Sequence, residues 1–237
     1  AITGQQAFIQ AADLAYMQVS TGTMSYTQAI RAAVKDVANN GLSVINYASG
    51  RQDQLDVAMR RSVLTDVNQT VGQLQMTRAD EMGCDLVRTS AHAGARPTHQ
   101  IWQGKVFSRS GTSKKYPPFV ESTGYGTVIG LNGINCRHSF FPFYEGLSVN
   151  PYTQSDLDEL NGKMVRYRGQ EMSLYDATQQ QRAIERKIRY WKRQADVLDA
   201  AGLDNATELQ AVKSYQAMMR DFIKQTRLQR QYEREQV

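Results

Sequence analysis

Cysteine is scarce in this chain. Its 237 residues carry two, with three histidines, two tryptophans and five prolines. Two thiols at Cys84 and Cys136 make no disulfide framework; they fit a reducing compartment, as free or metal-bound groups. Lacking disulfide staples, the chain must rely on apolar burial, and its length suffices for one large domain or two small ones. Long hydrophobic runs are also missing. Nothing approaches the roughly 20 consecutive apolar residues of a membrane span, so no membrane partner is expected. No leader segment is recognisable and the first residue is Ala1 rather than Met, so the chain reads as a piece of something longer.

Charge is modest overall, at +5, and becomes informative where it concentrates. Between positions 182 and 193, Arg182, Arg186, Lys187, Arg189, Lys192 and Arg193 face a single acid, Glu185. A helix carrying that local excess is either a solvated face or a contact for nucleic-acid phosphates.

Most of the chain reads as helix. Apolar residues recur at helical spacing from Gln5 to Val19, through Ala7, Phe8, Ala11, Leu14, Ala15 and Val19. Thr3 with Gln6, and Ser25 with Gln28, carry the capping-box signature that opens a helix. The second helix places Ile30, Ala33, Val34 and Val37 on one face, and Gly41 suits its C-terminal cap. Leu42 to Ala48 is left open between a strand and a helical turn. A long helix over 53–82 follows, with a stripe of Leu55, Met59, Val63, Val67, Val71 and Leu74. Asn68, Gln69, Gln73 and Gln75 crowd its second half with uncharged polar groups. After a connector over 147–162, a hairpin is expected over 163–172. Two helices then pair as an αα-hairpin, and a charged tail over 227–237 is expected to fray or to dock on a partner.

The stretch 84–143 differs. It holds both cysteines, all three histidines and four of the five prolines. Strands are expected at 85–89, 105–108 and 137–143, with a short helix opened by Pro97 at its first position, where the missing N–H costs nothing. Three polar phrases stand out: His92-Ala-Gly-Ala-Arg96-Pro-Thr-His99, Trp102-Gln-Gly-Lys105 and Asn135-Cys136-Arg137-His138. As metal ligands, His99, Cys136, His138 and His92 (or Cys84) form a set that zinc favours, and a metal would replace the core that so irregular a segment cannot build. As catalysts, His92 and His99 with Lys105 or Arg96 suit acid–base work on a phosphodiester. As plain structure, buried histidines bonded to backbone carbonyls explain the same residues.

Taken together, the motifs are similar to those of the phage minor capsid protein 2 family, a branch of head-morphogenesis proteins related to the Mu F group. The matching elements are Ala58-Met-Arg-Arg61, Ser90-Ala-His92-x-Gly94-Ala-Arg96-Pro97, Trp102-Gln-Gly-Lys105-Val106, Thr123-Gly-Tyr-Gly126, Gly133-Ile-Asn-Cys136-Arg137-His138 and Pro142-Phe143. Gln181-Arg182-x-Ile184-Glu185-Arg186 and Gln231-Tyr232-Glu233-Arg234-Glu235 extend the likeness over nearly the whole chain. The resemblance implies a structural virion component present in few copies and assembled in the host cytoplasm. It implies portal and capsid proteins as partners, a place in the capsid interior or at the portal vertex, and contact with packaged DNA. The Mu F-like group carries a Cys-x-x-Cys before a Leu-Asp-Gly-Lys phrase, and later a His-Pro-Asn-Cys-Arg-Cys phrase. Aligned on Gly104-Lys105 and Asn135-Cys136-Arg137, those positions fall on Arg96, His99, Cys136 and His138. Arg96 departs from the pattern and leaves His92 or Cys84 to complete four ligands.

The expectation is therefore an α+β, mainly α chain in three parts. A helical region (1–83) and a connector with a C-terminal αα-hairpin (147–237) frame a small irregular β-containing module (84–146). A structural virion role leads. An effector enzyme of nuclease type, using His92, His99, Arg96 and Lys105, is the rival class, and self-association is left open.

Overall fold

A computed structural model describes residues 4–39, 44–50 and 52–237. It is mainly helical, with strands confined to small antiparallel sheets, an α+β fold. Chain packing divides it into two units, 1–90 with 102–151 and 91–101 with 152–237.

The first unit opens with α1 (Gly4–Ser20) and α2 (Tyr26–Asn39). At the start of α2, the Ser25 N–H donates to Gln28 Oε1 at 3.1 Å and the Gln28 N–H returns to Ser25 Oγ at 3.3 Å, the capping box the sequence signalled. The Thr3–Gln6 pairing, the Gly41 cap and the start of the 42–48 stretch lie outside the described residues. Val44–Asn46 forms β1, which pairs antiparallel with β2 (Gln52–Gln54) and leads into α3 (Leu55–Glu81). Gly83, at φ +59°, ends that helix.

These helices share one core of Ala11, Ala12, Ala15, Ala29, Ile30, Ala33, Val37, Leu55, Met59 and Val63. The small α1 residues let its backbone approach closely. Leu14, read as part of the buried face, is 57% exposed. On α3 the stripe is buried only as far as Val63. Val71 and Leu74 emerge, because the first two helices cover its N-terminal half alone.

The C-terminal half of α3 serves a second core. β3 (Leu86–Thr89) is the middle strand of a three-stranded antiparallel sheet. The chain leaves it through α4 (Pro97–Gln100) and returns as β4 (Val106–Ser108), then passes α5 (Phe119–Thr123) to reach β5 (Phe140–Pro142). Val87, Trp102, Phe107, Phe119, Leu131 and Phe140 form that core, with Met76 of α3, Tyr125 and Cys136 against it. The helix expected from Pro97 to Trp102 stops at Gln100 and continues as turns, and the last strand is three residues rather than seven.

The second unit contains α4 together with α6 (Gln154–Gly162), the hairpin β6 (Met164–Tyr167) and β7 (Gln170–Ser173), α7 (Leu174–Ala200) and α8 (Ala206–Thr226). The connector thus hides a helix, opened by a Thr153–Asp156 capping box. Ser173 caps α7 by accepting the Asp176 N–H at 3.0 Å. Tyr167, Ala177, Ile184, Ile188, Met219 and Phe222 hold the hairpin and the two long helices together. The tail does not fray. It turns back along α7 and ends in a 3₁₀ helix, Tyr232–Glu235.

Candidate metal centre and basic helix face

Strand β3 is the scaffold on which the polar phrases are hung. Thr89, fully buried, donates from its hydroxyl to the Trp102 carbonyl at 2.9 Å and accepts the Lys105 N–H at 3.2 Å. On its other edge the Ser90 N–H donates to the Ser139 carbonyl at 2.8 Å, and the Ser139 N–H donates to Ser90 Oγ at 3.0 Å. These bonds fix Gln103 and His138 on opposite sides of one strand end. There His138 Nε2 meets Gln103 Oε1 at 2.9 Å, both residues being buried. An amide oxygen only accepts, so Nε2 carries the proton. Nδ1 of the same ring stands 3.7 Å from Cys136 Sγ. The Trp102 indole meets the His138 ring at 65°, with centroids 4.7 Å apart.

Cys136 is held by its backbone. Asn135 sits at φ +57°, the Cys136 N–H donates to the Gly133 carbonyl at 3.0 Å, and Asn68 Nδ2 of α3 donates to the Cys136 carbonyl at 3.3 Å. His99 lies on α4, 2% exposed. His99 thus belongs to the second unit and Cys136 with His138 to the first. Within the first unit, the imidazole of His138 and the sulfur of Cys136 are donors of the kind zinc takes, and a second hydrogen bond that orients an imidazole is the usual companion of such a ligand.

The other proposed ligands are placed differently. Cys84 is buried and donates to the carbonyls of Leu86 and Phe143, each at 3.2 Å. His92 is half-buried with Nδ1 3.0 Å from the Ala93 carbonyl. Arg96 stands at the N-cap of α4, and its carbonyl accepts the His99 N–H at 2.8 Å. Lys105 is exposed at the start of β4. Gln103 was missed at the level of sequence. Its phrase had been singled out, but an uncharged amide gives no signal of whose proton it holds.

The uncharged amides of α3 also find a place. Gln69 and Gln73 line a notch of about 250 Å³ with Tyr125, Thr127, Leu131 and Asn132. Gly72 lets Asn132 pack against the helix, since a Cβ there would collide with the Asn132 side chain.

On α7 the arginines Arg182, Arg186, Arg189 and Arg193 recur at spacings of 4, 3 and 4. At about 100° per residue they fall within an arc of about 60°. Arg186 and Lys187 are exposed, and the other four are half-buried. Glu185 lies beneath this stripe with its side chain 2% exposed. Burial pushes its carboxyl up to about 7, while Arg182, Arg189 and Arg186 pull it down and Glu235 pushes it up.

The sequence pattern of the phage minor capsid protein 2 family matches residues 1–224. A structural protein of Lactococcus phage LL-H is 29% identical over 229 residues, which are 92% of this chain and 58% of that protein. A structural protein of Lactococcus phage mv4 is 33% identical over 128 residues, 52% of this chain and 93% of its own length. The chain therefore spans a little over half of the longer relative. No solved structure matches it.

Proposed function

Since the chain belongs to the phage minor capsid protein 2 family, we propose that it is a structural component of the virion head, built in beside the portal and capsid proteins and touching packaged DNA. The observation that carries this reading is a family match running over 224 residues rather than over one motif. Two local features support it. The arginine stripe of α7 suits sequence-independent phosphate contact, in which cations release condensed counterions. The donor types of His99, Cys136 and His138 suit structural zinc, which when bound would supply a crosslink that a loop-rich segment otherwise lacks. Gln103 holds the proton on His138 Nε2 and keeps Nδ1 available.

Chemical cross-linking of head-assembly intermediates, read by mass spectrometry, tests the placement. Links from this chain to portal and capsid proteins are expected. Links confined to non-virion proteins overturn it. Elemental analysis of the purified chain tests the metal reading: about one zinc per chain, and a melting point lowered by a chelator, are expected. Neither occurring removes the metal.

A further inference from the structure

The donors on one edge of the arginine stripe are already occupied, and by the chain itself. Gln181 Nε2 donates to the Gln229 carbonyl at 2.9 Å. Arg189 Nη1 donates to the Arg234 carbonyl, and Lys192 Nζ to Gln236 Oε1 at 3.3 Å. The tail is stiffened for this role. Arg230 grips Glu235 with two bonds, at 2.7 and 2.6 Å, and lies over the Tyr232 ring at 4.6 Å. Glu235 is buried. The family match ends at residue 224, before this segment begins.

We infer that residues 227–237 form a strap that competes with duplex DNA for the basic face of α7. This rests on the DNA-contact reading above. The tail offers carbonyl and amide oxygens to Arg189 and Lys192, the same kind of acceptor that a phosphate oxygen provides, but without its charge. DNA therefore exchanges a neutral acceptor for an anionic one at each cation, and the exchange is favoured by charge. With the strap down, Arg186 and Lys187 are the exposed cations of the face. With it lifted, Arg189 and Lys192 join them.

Charge counting makes the test sharp. The strap holds Arg227, Arg230 and Arg234 against Glu233 and Glu235, a net +1. Deleting it removes positive charge, so charge alone predicts weaker DNA binding, whereas release of a competitor predicts tighter binding. Three proteins are compared by fluorescence anisotropy on one 30-base-pair duplex across a salt series: the full chain, a chain ending at Thr226, and full-chain Arg230→Gln. The point variant keeps Leu228, which packs in the core of this unit, so it stands in if the shortened chain fails to fold. It also lowers the net charge by one.

The expected result is affinity on the order of tenfold tighter for both variants, with a salt slope steeper by about 1.8, the worth of two added phosphate contacts. Hydrogen exchange on the full chain adds a second readout, in which DNA speeds exchange of the amides over 229–236. Binding by the full chain that the variants fail to exceed overturns the strap and leaves the DNA contact standing. No binding by any of the three overturns both.

Discussion

Gln103 and Glu185 are the two residues on which most local chemistry turns, and both are buried without belonging to the apolar core. Gln103→Leu takes the acceptor from His138 Nε2–H and leaves a buried donor unpaired. The expected cost is about 1–3 kcal/mol in chemical denaturation, with zinc affinity lower by roughly 10–100-fold. Unchanged affinity in a folded variant excludes Gln103 as the orienting group. Glu185 makes stability depend on pH. Its carboxyl titrates near 7 in the fold against an ordinary value of 4.5, with Arg182, Arg186 and Arg189 on its own helix and Glu235 on the tail facing it. Because the folded state holds that proton more tightly, its contribution is complete below about pH 4.5 and is lost as pH rises through about 7, about 3 kcal/mol at most. Glu185→Gln is expected to melt alongside the parent at about pH 4 and above it at about pH 8. Parallel melting curves across that range contradict this.

At the level of elements, regular periodicity was readable and tight turns were not. The paired helices α7 and α8, the β6–β7 hairpin about Gly169 and the strands β3 and β4 follow from spacing, caps and glycine positions. The 3₁₀ tail, α5 and α6 did not, because each is too short for a period to show and is fixed by contacts. Thr153 and Asp156 did carry a readable signal, and the capping box they form makes Thr153→Ala cost about 1 kcal/mol. The candidate ligands His99, Cys136 and His138 were named from their residue types and fell on matching positions in the family register, whereas the bonds of Thr89 and Ser90 that fix the strand around Gln103 and His138 leave no sequence trace. The loop over 124–133 is the most demanding local fold. A Cβ at Gly130 would run into the Gly124 carbonyl group, so Gly130→Ala is expected to destabilise by about 1–3 kcal/mol. Thermal unfolding checks it, and an unchanged melting temperature shows that the loop yields.

On the scale of the whole molecule, each unit leaves apolar or basic side chains at its surface. The first unit leaves Leu64, Val71 and Leu74 exposed on α3, and the second presents an arginine stripe. Both features suit a protein that works by contact, as membership of a minor capsid family leads one to expect. Quantitative mass spectrometry of purified virions from the phage that encodes this chain tests that account most directly. The chain is predicted in every preparation, at a fixed ratio far below that of the major capsid protein and unchanged by further gradient purification. Its loss on purification, with recovery in the soluble lysate, contradicts a structural place in the virion.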